Sequence, residues 1–341
     1  MKLSLEQIKN IAVGAVRASE NENGAINLYR FSKAQEDIYH EVNLDFYNKS
    51  RSTSGVKLKF KTDSKSLSIS VNASSASSRK YVSFELFVDG KYYDALDNFG
   101  DYEFPKLYTK EVFPLGEMSK TFSLPDGEKE IDLYFPWSVK VDLISLELDD
   151  GAEIIPIRPK KKMLLWGDSI TQGYDCIRSY GLYTTILAEA LGAEGFNRGI
   201  AAEKFFAPIT EPKEDISFDY ITVAYGTNDW NKLPKEEFYE KCAGFYRNLS
   251  ENYPGAKIFA ISPIWRKDHE ATDRILGLFS EVEGFIADCV KDFKNVTVIP
   301  GFDLVPHSSD YFADGRVHPN DAGNKHYGVN LAKKIKEILG E

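Results

Sequence analysis

A chain of 341 residues with 43% apolar and 28% charged side chains has material for about two cores and excludes wholesale disorder. Its 42 basic against 52 acidic residues leave a formal net charge of −10, which argues against a general binder of nucleic acid or of anionic membranes. No apolar stretch approaches the ~20 residues of a membrane span.

The N-terminal segment is broken by Glu6 and Lys9 and does not read as a signal peptide. Three widely spaced cysteines, Cys176, Cys242 and Cys289, make neither a Cys-x-x-Cys pair nor a disulfide framework. They predict reduced thiols in a cytoplasmic protein without a metal site. A short helix is expected within Leu3 to Ala18. Period-two alternation follows in Val56, Leu58 and Phe60, and again in Leu67, Ile69 and Val71. Tyr81 to Val88 runs into Asp89-Gly90, and Phe122 to Leu124 into Pro125-Asp126-Gly127 before Ile131 to Phe135, two hairpin signals. With Val139 to Leu148, these strands predict an antiparallel β-sandwich, jelly-roll-like, over residues 1–155.

Past Asp149 to Lys162 the pattern changes. Apolar strands at Met163 to Trp166, Phe218 to Tyr225, Lys257 to Ser262 and Val296 to Pro300 alternate with helical spacing. That spacing appears in Phe238, Cys242, Phe245 and Leu249, in Ile275, Phe279, Val282, Ile286 and Val290, and in Leu331, Ile335, Ile338 and Leu339. Residues 160–341 therefore read as an α/β three-layer, doubly wound parallel-sheet domain, whose ligands bind beyond the carboxyl ends of its strands.

Four segments fall at those ends: Gly167-Asp168-Ser169-Ile170, Asn197-Arg198-Gly199, Gly226-Thr227-Asn228-Asp229, and Asp314-Gly315-Arg316-Val317-His318. A lone serine there is most often a helix cap, and a lone asparagine a turn former. The four in this order resemble the SGNH, or GDSL-type, esterase and acylhydrolase family. The resemblance covers residues 160 to 340 and implies Ser169 as nucleophile and His318 as general base. It also implies an oxyanion hole from the Ser169 and Gly199 N–H groups and the Asn228 side chain. A serine hydroxyl needs such a base to become nucleophilic, and a carboxamide opposite it can donate to the developing oxyanion.

The family has its acid three residues before the histidine. Here position 315 is glycine and Asp314 stands four before. Either Asp314 reaches the ring through a bulged loop, or a backbone carbonyl orients it and the machinery is a Ser-His dyad. Asp175, Arg178, Trp230, Trp265 and Arg266 are further candidates for substrate contact, although packing explains each of them as well. No cofactor is implied.

A β-sandwich ahead of such a domain resembles the two-domain carbohydrate esterases. This implies a serine esterase acting on short-acyl, O-acetyl esters of small or oligomeric carbohydrates, with no nucleic-acid or membrane partner. A lipid acylhydrolase or thioesterase, and a non-catalytic glycan-binding protein, are the alternatives. The aromatic residues Tyr92, Tyr93, Tyr102, Phe104 and Tyr108 are explained by packing in a half-buried sheet or by contact with a sugar, and the β half is expected to wall the cleft.

Overall fold

The alternating segments of the first half pair into two antiparallel sheets in the computed structural model, which describes residues 1–341. One sheet sets Arg17–Glu20, Ile26–Tyr29, Val139–Leu148, Ser66–Ser75 and Gly116–Ser123 side by side. The other sets Ala12–Val13, Lys57–Thr62, Lys129–Tyr134, Ser83–Val88 and Lys91–Asp97 in order, with Ile155–Pro156 added against Lys57–Thr62. Leu58 and Phe60 from one sheet meet Leu67, Ile69, Val71 and Val141 from the other in a single apolar cluster, while the intervening lysines and serines face outward. This is a β-sandwich.

The helix expected within Leu3 to Ala18 is confined to Leu5–Ile11, opened by a Ser4–Gln7 capping box. The chain then turns into strand, because Gly14 lies so close to the carbonyl oxygens of Gly55 and Gly195 that a Cβ there would stand 2.5 and 2.8 Å from them.

The second half forms five parallel strands: Lys161–Gly167, Ala193–Gly199, Tyr220–Ala224, Lys257–Ile261 and Val296–Ile299. Their spatial order is second, first, third, fourth, fifth. Leu164, Trp166, Ile221, Val223 and Ile258 face a layer containing helices Lys235–Asn252 and Val282–Val290. Met163, Leu165, Phe259 and Ile261 face the layer of Tyr183–Ala190 and Asp321–Leu339. Burial on both faces explains why these strands read as continuous apolar runs. The helical spacing beginning at Ile275 is realised only from Val282, because Arg274 is drawn to Asp268 and the Gly277 carbonyl accepts from the Trp230 indole N–H at 2.8 Å. No helix is long and apolar enough to cross a membrane.

The break near residues 155–160 separates strand types without separating cores. Two helices that the sequence pattern did not reveal, Lys33–Val42 and Leu44–Ser50, belong to the first half. Yet Phe31 and Tyr39 sit in the parallel-sheet core with Trp166 and Phe196. A smaller cluster joins Tyr81 and Trp137 to Tyr174, Cys176 and Leu182 across the same boundary. Arg30, fully buried, donates from Nη1 to the carbonyls of Asn197 (2.8 Å) and Gly199 (3.3 Å), and from Nε to that of Ser52 (2.7 Å). Burial, with Arg198 nearby, pushes its guanidinium down to about 9.

Candidate active site

Gly167, at the end of the first parallel strand, is level with Gly199 on one side and Ala224 on the other, so three loops leave the sheet together. This is the point where the strand order reverses, the crevice at which such sheets bind ligands. The first loop is minimal. Asp168 caps the short helix Ser169–Gln172 by accepting from the Ile170 N–H at 3.0 Å. Ser169 opens that helix, so its N–H has no intrahelical acceptor. Asp168 is wholly buried, and burial pushes its carboxyl up to about 6 against the opposing pull of the Ile170 N–H, His318 and Arg266.

His318 reaches the serine from the loop preceding the last helix. Its Nε2 lies 2.9 Å from Ser169 Oγ and its Nδ1 lies 2.9 Å from Asp314 Oδ2. The single-residue lengthening at Gly315 is absorbed by a tight turn in which Asp314 Oδ1 accepts from the N–H groups of Arg316 (2.8 Å), Val317 (2.7 Å) and His318 (3.1 Å). Burial opposes ionisation of Asp314, but the His318 hydrogen bond and those N–H donors together hold the carboxyl well below the usual carboxylate range. An ionised Asp314 can only accept, so Nδ1 carries the ring proton and Nε2 is left to accept from the serine hydroxyl. For His318 burial acts downward, yet the Asp314 hydrogen bond and the charges of Asp175, Asp314 and Asp168 raise it above the ordinary imidazole value.

The structure separates the expected oxyanion donors. Asn228, on the helix after the third strand, donates from Nδ2 to the Glu203 carbonyl at 2.9 Å, which leaves its second amide proton free. Gly199 does not fit. It lies within the second strand rather than beyond it, and its N–H donates to Asn197 Oδ1 at 2.8 Å. It serves close packing instead, since a Cβ there would stand 2.1 Å from the Gln172 nitrogen.

Three residues on, Ala202 has φ +69 and a backbone N–H with no acceptor in the protein. On one side of it, the Ala201 N–H is tied to Gln172 of the serine's helix at 2.8 Å; on the other, the Glu203 carbonyl holds Asn228. The free backbone donor between serine and asparagine is therefore that of Ala202. Glu203 is itself anchored by the hydroxyls of Tyr39 (2.6 Å) and Tyr225 (2.5 Å). Its full burial pushes the carboxyl up to about 8.

The candidates for substrate contact are mostly committed elsewhere. Trp230 is fully buried, edge-on to Phe279. Trp265 is buried, stacked on His307 and packed on Phe312. Arg266 is buried too, bonded to Asp268 at 2.6 Å and to the Thr227 carbonyl at 3.2 Å. Arg178 binds Ser83 and Asp97 of the sandwich. Asp175 is buried beside His318, its Oδ2 3.4 Å from Nδ1. Asp175, Asp314 and His318 present ligand atoms within 4.8 Å of one another. Arg79, which pairs with Asp175, already supplies the positive charge that a metal ion would bring.

The sandwich also reaches the His318 loop. Tyr108 donates from its N–H to the Ala313 carbonyl (3.3 Å), and Lys106 pairs with Asp310 (2.6 Å). Around them Phe99, Tyr102, Phe104 and Phe113 pack edge to face. Tyr92 instead packs on Phe87 and Tyr180.

Residues 165–326 match the model of the GDSL-like lipase/acylhydrolase family. No curated protein matches the chain. Among solved structures, the salicylyl-acyltransferase SsfX3 from a tetracycline biosynthetic pathway is 18% identical, over 96% of this chain and 94% of that one, with a TM-score of 0.77. A GDSL-like lipase from Bacteroides ovatus is 18% identical over 100% and 98%, with a TM-score of 0.76. A family two carbohydrate esterase from Cellvibrio japonicus is 15% identical over 100% and 98%, with a TM-score of 0.68. Residues 165–326 thus carry a GDSL-like lipase/acylhydrolase domain, and the whole chain shares its fold with these solved structures.

Proposed function

We propose that the protein is a serine esterase that removes short acyl groups, acetyl above all, from small or oligomeric carbohydrates in a reducing, cytoplasmic setting. The observation that carries the chemistry is the relay from Ser169 Oγ through His318 to Asp314, each step 2.9 Å. His318 takes the hydroxyl proton as Ser169 attacks the ester carbonyl, then returns it to the departing sugar hydroxyl. The Ser169 and Ala202 N–H groups and the free Asn228 amide proton receive the negative charge that develops on the carbonyl oxygen. A water deprotonated by His318 then attacks the acyl carbonyl, and the proton passes from His318 to Ser169 Oγ as the carboxylic acid leaves. Asp314 fixes the tautomer and stabilises the imidazolium without reacting.

A sugar as the alcohol is supported by the likeness to a family two carbohydrate esterase and by the aromatic loop that the sandwich sets beside the His318 turn. Tyr102 is half exposed there and offers a face for a pyranose ring. Hydrolysis of p-nitrophenyl acetate should vanish in Ser169→Ala, and acetylated xylo-oligosaccharides should be turned over in preference to long-chain p-nitrophenyl esters. A preference for long acyl chains would transfer the reading to a lipid acylhydrolase.

A further inference from the structure

His318 Nδ1 faces two carboxylates. Asp314 Oδ2 stands at 2.9 Å and Asp175 Oδ2 at 3.4 Å. One ring nitrogen carries one proton, so Asp314 takes the hydrogen bond and Asp175 acts through its charge. Two carboxylates this close repel, and one of them would take up a proton unless a cation shared the site. Arg79 is that cation. Its Nε and Nη2 grip both Asp175 oxygens, the second at 3.0 Å, and the Tyr81 hydroxyl donates to Oδ1 at 3.0 Å.

Asp175 also has φ +68, a conformation costly for any residue with a Cβ. Its carbonyl accepts from the Tyr108 hydroxyl at 2.8 Å. Arg79, Tyr81 and Tyr108 all belong to the first half of the chain. Asp175 itself is wholly buried, out of reach of a sugar.

We infer that Asp175 is a positioning residue for His318, a second acid that Arg79 and Tyr81 of the sandwich clamp against the ring, so that the β half sets the orientation and charge of the base. The inference rests on the Ser169–His318 reading above. The groups facing the imidazole are Asp314 from its own loop, Asp175 and Tyr174 from the loop after the serine's helix, and Asp168 and Ser169 from the first strand's end. Arg79 and Tyr81 stand behind Asp175. Asp314, Asp175 and Asp168 against Arg79 leave a net negative field, which the imidazolium formed when His318 accepts the serine proton partly offsets. That stabilises the state formed during attack. Loss of Asp314 then leaves an acid still aimed at Nδ1.

The test combines pH profiles of kcat/KM on p-nitrophenyl acetate with NMR titration of His318. Asp175→Asn should move the acidic limb down by about 1 pH unit or more, since a carboxylate within 4–6 Å favours the imidazolium by that scale. Arg79→Gln should shift the limb, because it changes the charge standing behind Asp175, and Arg79→Lys should restore it. Asp314→Asn alone should lose about 10- to 100-fold, and Asp314→Asn with Asp175→Asn should approach the ~10⁴-fold loss seen when a serine protease triad loses its acid. A double variant no slower than Asp314→Asn, or an unmoved limb in Asp175→Asn, overturns the inference.

Titrating His318 in Ser169→Ala, with and without Arg79→Gln, reads the same field without turnover. An equal midpoint in those two proteins overturns it as well. Activity that survives in Ser169→Ala would instead defeat the underlying reading, and the NMR midpoints would still report on Asp175.

Discussion

Glu203→Gln should remove most of a pH dependence of stability that the wild-type protein owes to one buried carboxyl. Glu203 is held between Tyr39 and Tyr225 with no cation in contact, and burial pushes it from an ordinary 4.5 to about 8. The folded chain therefore keeps a proton that the unfolded chain has released throughout that window. Because the folded state binds more protons there, the stability this group contributes is fully present below pH 4.5 and is lost as pH rises toward 8. Each pH unit costs a little over 1 kcal/mol for one group, about 4 kcal/mol across the window.

Urea unfolding followed by tryptophan fluorescence suits the measurement, since Trp137, Trp166, Trp230 and Trp265 are all buried. Wild type should lose about 4 kcal/mol more between pH 5 and pH 8 than Glu203→Gln, whose amide retains partners in both tyrosines. Glu85, also raised to about 8, and Asp229, raised to about 7, act equally in both proteins and cancel. Parallel stability curves for the two proteins would refute the assignment of that proton to Glu203.

Asn228→Ala should lower kcat by about 10²–10³ with little change in KM, the scale for losing one oxyanion donor, as steady-state kinetics on an acetate ester would show. Ala202→Gly should retain kcat/KM within about twofold, because glycine accepts positive φ at no cost, whereas Ala202→Val should lose activity. An intact Ala202→Val enzyme would remove Ala202 from the site. Activity should rise with pH through a midpoint above the ordinary imidazole value of about 6.5, since His318 must be neutral to accept the serine proton and its neighbouring carboxylates raise it. A midpoint at or below that value in a pH–kcat/KM profile would contradict the electrostatics.

The parallel strands and the Ser169, Asn228 and His318 segments were legible because each is local. Met163 to Trp166 is apolar on both faces, Ser169 and Asn228 lie just beyond strand ends, and His318 lies in the short turn-rich segment just before the last helix. The helices Lys33–Val42 and Leu44–Ser50 escaped notice because their own apolar spacing is weak; Tyr39 gains its apolar surroundings only from Trp166 and its neighbours across the chain. Gly199 misled because the family resemblance was carried onto the glycine of Asn197-Arg198-Gly199, whereas here that glycine marks close packing on Gln172. Asn197, two residues earlier, was the available warning, since a side-chain oxygen there can capture the glycine N–H. Alanine carries no mark of positive φ, so nothing at position 202 announced its role. Arg178, Trp230 and Arg266 stand between substrate contact and packing in the sequence, because an arginine or tryptophan near a catalytic loop is ambiguous until its partners are known. The clamp on Asp175 had no sequence trace, its arginine lying 96 positions earlier.

Arg30 bears on the order of events during folding. It completes the carbonyl groups at the end of the second parallel strand, which leads directly into the loop holding Ala202 and Glu203. During synthesis that arginine emerges long before the strand it serves, and it must stay solvated until the strand arrives. The donors around the serine therefore gain their final aim only when Arg30 gives up its water for those carbonyls, which ties recovery of turnover on refolding to the docking of the two halves.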